Sequence, residues 1–331
     1  MTAQKTSKFF RSKSFALIAI IIVMIIAFTL GNKNYISAGN ISGFMTNIST
    51  AGLLAVGMVC LLISGNVDLA AGTEACMAGI FVATILGSGM PWPVALIITI
   101  LFGAAMGLFN AFLVNVLGFM GFIATIGMSS VYKGLALVVS NGINVSISNQ
   151  GFYPLGAYSI QMGKFALPLP FIYTVVLFVI YGLILKYTKF GRSIYLIGGN
   201  RNAARLAGVS IKKVSTILYI NCGAIAAFCG AVSTAKMNSA GPQAISGTEM
   251  DSIAGAVLGG VSFMGGSGGL GGAFIGLFLI SAFKNGLTAI SLPTYWQTVA
   301  QGGILLIALV VDYFGERSRV SALKAEAAQA A

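Results

Sequence analysis

The chain has no histidine and only 7 acidic residues among 331, with 4 cysteines and 2 tryptophans. Without histidine, catalysis by imidazole and histidine-ligated metal sites are excluded. The scarcity of charge is more telling. Charged residues make up 8% of the chain, against about 25% in an ordinary soluble domain. So few charges cannot cover the surface of a soluble fold. Cys60, Cys76, Cys222 and Cys229 all lie in apolar runs without metal spacing and read as small buried residues. No G-x-x-x-x-G-K-[ST] phosphate loop occurs, so any ATP hydrolysis belongs to another chain.

What fills the space is oil. Hydrophobic residues make up 57% of the sequence, in runs approaching the ~20 residues a helix needs to cross a bilayer. The runs are continuous and lack strand-type alternation, which favours a helical bundle over a barrel. The 43 glycines predict helices whose backbones approach closely. The fold class read from this is an all-α polytopic membrane protein. Ten spans fit, near 15–30, 40–63, 71–88, 92–117, 120–140, 167–186, 214–236, 251–264, 270–290 and 297–313. The break between 264 and 270 leaves spans eight and nine as either two helices or one broken unit. The first run, Phe15–Leu30, lacks a small-x-small cleavage pattern after it and reads as an uncleaved span.

The net charge of +12 has the look of a nucleic-acid binder, yet no basic patch is interleaved with aromatics in a soluble domain. Basic residues instead orient the bundle. Lys5, Lys8, Arg11 and Lys13 stand at the N-terminus, and Arg317, Arg319 and Lys324 at the C-terminus. Between them, Lys186, Lys189, Arg192, Arg201, Arg205, Lys212 and Lys213 crowd one loop. An even number of spans puts all three groups, and both termini, on the cytoplasmic side. Residues 1–331 then form one transmembrane domain, and the largest external loop, about 141–166, is too short for a core of its own.

The basic loop, "TKFGRSIYLIGGNRNAARLAGVSIKKV" from Thr188 to Val214, is the most unusual stretch. It turns at Gly198, Gly199 and Asn200. Asn202 reads as a helix N-cap, Ala203, Ala204, Arg205, Leu206 and Ala207 as helix formers, and Gly208 as the C-terminal stop. A short Ala-rich helix outside the membrane would fit a groove on another protein. The alternative is a basic topogenic loop with incidental helix.

This loop closely resembles the cytoplasmic signature of the ribose-type sugar permeases, the membrane subunits of binding-protein-dependent ABC importers. "LLISGNVDLAAGT" (61–73), "MDSIAGAVLGGVSFMGGSGGLGGAFIG" (250–276) and "YWQTVAQGGILLIALVVD" (295–312) resemble further family stretches, in the family's order. Asn66 and Ala70 stand where the family often has Gly and Ser, and Glu74 is unusual. The resemblance implies a multi-pass permease of the bacterial cytoplasmic membrane, working as a dimer with a second copy or a paralogue. Residues 187–213 would be the coupling loop that docks on a cytosolic ATPase. Within it the resemblance marks Gly191, Arg192, Gly198, Gly199, Asn200, Ala203, Ala204, Arg205 and Gly208. Ser64, Gly65, Asp68 and Gly72 would form the motif turn. An extracytoplasmic sugar-binding protein would deliver cargo. The chain itself would bind no cofactor, ATP and magnesium being held by the ATPase.

Other polar groups stay open to two readings. Asp68 reads as a cap for the third span or as a partner for a loop arginine or the ATPase. Glu74 reads as an interfacial carboxylate near the cytoplasm. Glu249 and Asp251 read as markers of the water boundary and of a helix start. Asn110, Thr125, Lys133 and Asn221 either line a pathway or glue helices together. The Gly-rich run at 259–272 lies in an apolar–turn–apolar setting like that of "ISGNVDLAAG". This suggests two related halves, spans two to five and seven to ten. A different cargo, such as a nucleoside, polyol or sugar-derived signal, fits the same machine. An ion-driven carrier using Glu74 or Asp251 is the rival from another class, and a membrane-embedded enzyme is a third.

Overall fold

The structure is a computed structural model describing residues 13–293, 295–300, 302, 303, 306 and 310. Its main helices are α1 (Lys13–Gly31), α2 (Ala38–Ile63), α3 (Ala71–Gly87), α4 (Trp92–Asn115), α5 (Gly121–Val139) and α6 (Leu169–Tyr187). They are followed by α7 (Lys189–Gly199), α8 (Arg201–Leu206), α9 (Ile211–Met237), α10 (Thr248–Leu258) and α11 (Leu270–Ala289). Six of them, α2, α4, α5, α6, α9 and α11, are long and apolar enough to cross a membrane, and Leu17–Gly31 and Ala71–Gly87 are shorter apolar helices. The chain is thus a polytopic helical membrane protein. The basic termini and most of the expected tenth span, 297–313, lie outside the described residues.

The ends of the helices are set by local chemistry. Ser37 caps α2 by accepting from the amide of Asn40, and Pro91 with Pro93 sets the start of α4, where a missing amide costs nothing. Two expectations need correction. The span at 251–264 ends at Leu258, because Gly260 takes φ +90, which only glycine adopts without strain. Residues 259–269 are loop, so α10 is an 11-residue half-helix. The fold also has strand pieces that an all-α reading misses. β1 (Val145–Ser146) pairs with β4 (Ser239–Ala240), and β2 (Ser159–Met162) with β3 (Phe165–Pro168), all antiparallel. They satisfy backbone groups in the loop at 141–168 without needing a core there.

The core is the packing of α2 and α9. In their most apolar windows 83% of α2 and 67% of α9 is buried, against 33%, 28% and 22% for α4, α5 and α6. The last three turn Ile97, Leu101, Ile123 and Val179 outward, as lipid-facing helices do. Small residues let the central helices touch. A Cβ on Gly223 of α9 would stand 2.3 Å from the carbonyl oxygen of Gly103 on α4, and one on Gly107 would stand 2.1 Å from the carbonyl oxygen of Tyr219. A Cβ on Gly230 would meet the carbonyl of Ala75 on α3 at 2.1 Å, and α2 meets α9 where Gly57 faces the Cα of Cys222. All four cysteines are free and buried, filling such gaps as the sequence predicts.

Replacing Gly223 by valine wedges α4 from α9 and lowers stability by at least the ~1–3 kcal/mol of an overpacked core. The control is Gly127→Val on the lipid face, where no heavy atom lies within 4 Å of the new Cβ. In detergent, the melting temperature of Gly223→Val drops by several degrees while Gly127→Val melts with the parent.

Candidate functional site

The loop that interrupts the oil is built as two capped helices. Thr188 caps α7 by accepting from the amide of Gly191 at 3.0 Å. α7 is amphipathic, with Gly191, Ile194 and Ile197 buried and Arg192 and Leu196 exposed. The stretch "SIYLIGG" is therefore helix, where the sequence reading had an apolar strand of chain and a turn. The cap of α8 is Asn200, not Asn202. Its Oδ1 accepts from the amides of Asn202 and Ala203, both at 3.0 Å. At the other end Gly208, at φ +78, donates to Arg205 while Val209 donates to Ala204. These two crossed bonds make a Schellman stop, the role its position predicts for Gly208.

Beneath this segment three turns meet, backbone to backbone. The turn after α2 passes through Gly65 at φ +74, and the loop after α10 through Gly265 and Gly266 at φ +92 and +77. The amide of Gly266 donates to the carbonyl of Ile63 at 2.8 Å. A Cβ on Gly198 would stand 1.9 Å from that same carbonyl oxygen and 2.4 Å from the amide nitrogen of Gly266. Side chains add two ties. Tyr195 donates to the carbonyl of Gly268 at 2.8 Å, and Arg201 Nη2 donates to Asn66 Oδ1 at 3.2 Å. Asn66 in turn donates to Ser64 Oγ, which donates to the carbonyl of Leu61. Three stretches far apart in sequence are thus one unit in space.

The outward surface of the unit carries Arg192, Asn202, Ala203, Arg205 and Leu206. Leu206 is 91% exposed, a large apolar side chain at the tip of a basic helix. Sequence reasoning counted it only as a helix former. Its signal was an apolar residue inside an otherwise polar turn of a loop helix. Tyr195, Asn66 and Arg201 were also missed as contacts. Ala204, expected on the docking face, is fully buried and packs α8 onto its own chain.

The remaining polar positions form a second, internal cluster. Asp68 accepts from the amide of Ala70 at 2.9 Å, an Asx turn ahead of α3, whose cap residue Ala70 has no side-chain bond to give. It neither caps the helix nor reaches a loop arginine or the surface. Asp68 and Glu74 are both 0% exposed, so Glu74 is a core residue and not an interfacial one. One amide serves both: Asn110 Nδ2 donates to Glu74 Oε1 at 2.8 Å and to Asp68 Oδ2 at 3.1 Å. The single proton of the Tyr132 hydroxyl is shared between the carbonyl of Met106 at 3.0 Å and Asn110 Oδ1 at 3.2 Å. Thr125 accepts from the amide of Leu69 at 3.0 Å, and Asn221 accepts from the hydroxyl of Tyr181. Lys133 is half-buried on α5. Glu249 and Asp251 do open α10, as expected, but both are 6% exposed and do not mark a water boundary. Glu249 Oε2 accepts from the amide of Gly247 at 2.9 Å and fills the place a side chain at Gly72 would take.

Residues 40–309 match the family described as "Branched-chain amino acid transport system / permease component". The chain belongs to this family. It is 33% identical to the ribose import permease protein of Bacillus subtilis, over 88% of this chain and 89% of that one. It is 31% identical to the D-allose transport system permease protein of Escherichia coli, over 90% of each. It is 28% identical to the L-arabinose ABC transporter permease protein of Azospirillum brasilense, over 92% of this chain and 88% of that one. No solved structure matches it significantly. This membrane protein is a transport permease.

Two outcomes check the site. Gly198→Ala unseats α7 from Ile63 and Gly266, whereas Gly199→Ala, with no heavy atom within 4 Å of its Cβ, leaves it in place. Hydrogen exchange across 189–208 rises strongly in the first and is unchanged in the second. Asn110→Leu strips both buried carboxylates of their shared donor, at a cost of at least ~1–3 kcal/mol, read as a lower melting temperature in detergent.

Proposed function

We propose that this chain is the permease subunit of a bacterial ABC importer for a monosaccharide, and that α7 and α8 carry the stroke of a separate ATPase into the bundle. The single observation behind this reading is the seating of the 189–208 segment. Its inner face is locked to the turn after α2 and to the loop after α10 by backbone contacts. Its outer face is left with two arginines and Leu206 in the open. A topogenic loop has no need of such a seat, while a lever does. The sugar class rests on the relatives, whose names specify ribose, allose and arabinose.

In this reading the segment faces the cytoplasm and both termini lie there with it, as the basic residues direct. Ten elements cross or enter the membrane, the tenth being the apolar run near 297–313. ATP and magnesium act on the partner ATPase. Two permease copies enclose the path, and a binding protein delivers sugar at the far end. α2 and α9 run in opposite directions, and each is followed by a loop and then by a shortened helix with a carboxylate in its first turn, Glu74 in α3 and Glu249 in α10. This supports the inverted-repeat reading, in which spans two to five correspond to seven to ten. An ion-driven carrier using Glu74 or Asp251 is disfavoured because Glu74 Oε1 accepts from Asn110 deep in the protein and Asp251 is paired with Lys284.

The test is purification of the permease from its native membranes in mild detergent. The parent brings down a P-loop ATPase in stoichiometric amount. The variant Arg192→Glu, Arg205→Glu, Leu206→Glu, altered only at exposed positions, folds and melts as the parent but loses the ATPase. An ATPase retained by that variant assigns the docking surface elsewhere, and no ATPase with either form overturns the importer reading.

A further inference from the structure

At the end of the bundle opposite the coupling segment lies a polar cavity of about 370 Å³ between α2, α9, α10 and α11. Such a volume suits a small organic molecule, since ligand sites run from about 300 Å³ upward. Asn47, Lys236, Asp251, Lys284, Asn285 and Gln297 are in its wall. Lys284 Nζ meets Asp251 Oδ2 at 2.6 Å, with the two side chains 35% and 9% exposed. Both residues also line a neighbouring cavity of about 460 Å³, so the ion pair stands as a partition between two wet spaces. Its place along the bundle is fixed by α2. Asn47 lies 16 residues before Ile63 on that helix, about 24 Å from the coupling end at 1.5 Å per residue.

We propose that this cavity is where the permease takes hold of its cargo, and that it is built for an uncharged, polyhydroxylated molecule of monosaccharide size. The proposal rests on the permease reading given above and adds the residues and the ligand chemistry to it. An ion pair with a buried carboxylate is costly and is tolerated in membrane proteins mainly where it faces a cavity or a partner. Here it faces both. The charges of the pair answer each other; Lys236 keeps its charge but is turned onto Asn47 Oδ1 at 3.3 Å, so the wall makes no demand for a cation and most of its polar groups are neutral. What it offers instead are amides and hydroxyls, each able both to give and to accept. Sugar hydroxyls have that same double character. Neutral contacts of this kind hold cargo weakly enough to release it.

Two measurements test this. Proteoliposomes holding the permease, its ATPase and its binding protein take up labelled D-ribose. In Asn47→Ala, Asn285→Ala and Gln297→Ala uptake falls about tenfold, the effect of losing one good hydrogen bond. ATP hydrolysis stimulated by the binding protein stays within about twofold. Uptake near the parent level in all three variants overturns the proposal. The second measurement needs no transport. Asn285→Cys, in the permease alone in nanodiscs, reacts with a charged thiol reagent, the four native cysteines being buried. D-ribose or ribitol slows that reaction severalfold, while potassium glutamate does not. No slowing by either polyol overturns the cavity assignment, and protection by glutamate overturns the uncharged class. A reconstituted importer that moves no sugar, with ribitol still protecting, removes the sugar-importer reading and leaves the cavity assignment standing.

Discussion

The carbonyl of Ile63, at the last turn of α2, accepts from the amide of Gly266 at 2.8 Å. Much of the architecture hangs on that contact. It exists only because Gly65, Gly198, Gly265 and Gly266 bring three backbones within van der Waals range. At membrane depth an irregular backbone is tolerated only where protein satisfies its polar groups. The loop after α10 meets this condition by laying its amides on the ends of other elements. The segment 189–208 is seated on the same platform, so its position and that of the half-helix α10 are set together.

The second constraint is charge. Four carboxylates, Asp68, Glu74, Glu249 and Asp251, are buried in the described part of the chain, and each is accommodated differently. Asp68 and Glu74 share the amide of Asn110, which ties the turn after α2 to α3 and α4. Glu249 is held by the backbone of its own turn and occupies the space left by Gly72. Asp251 alone is met by a full cation. The first three are thereby spent on packing. The last faces open space, which is why it, and not the deeper pair, marks a place for a ligand.

Much of the fold was legible because apolar runs in this chain end at glycine, proline or a capping side chain, and those signals are local. Nine expected spans correspond to helices, with ends shifted by a few residues. α10 ends at Leu258 and not near 264 because Gly260 takes a left-handed turn, which a glycine permits without announcing it in the sequence. Asn202 read as the cap and Asn200 as part of the turn, since the choice depends on where α7 ends. Glu74 could not be placed from sequence because its partner Asn110 lies 36 residues away on another helix. The same holds for Lys284 and Asp251, 33 residues apart. Leu206 was hidden by its ordinariness: only the geometry of α8 shows that none of the described residues covers it.

α2 is an unbroken rod of 26 residues, touching the cavity near Asn47 and the coupling platform at Ile63. Near its middle Gly57 presses against Cys222 of α9, close enough to serve as a fulcrum. Counted along the axis, the two arms are about 15 Å and about 9 Å. A rigid tilt about that point would swing the ends in opposite senses and enlarge the motion at the longer arm. A small push beneath Ile63 would reach Asn47 amplified by roughly two-thirds, with no bond along the rod needing to bend.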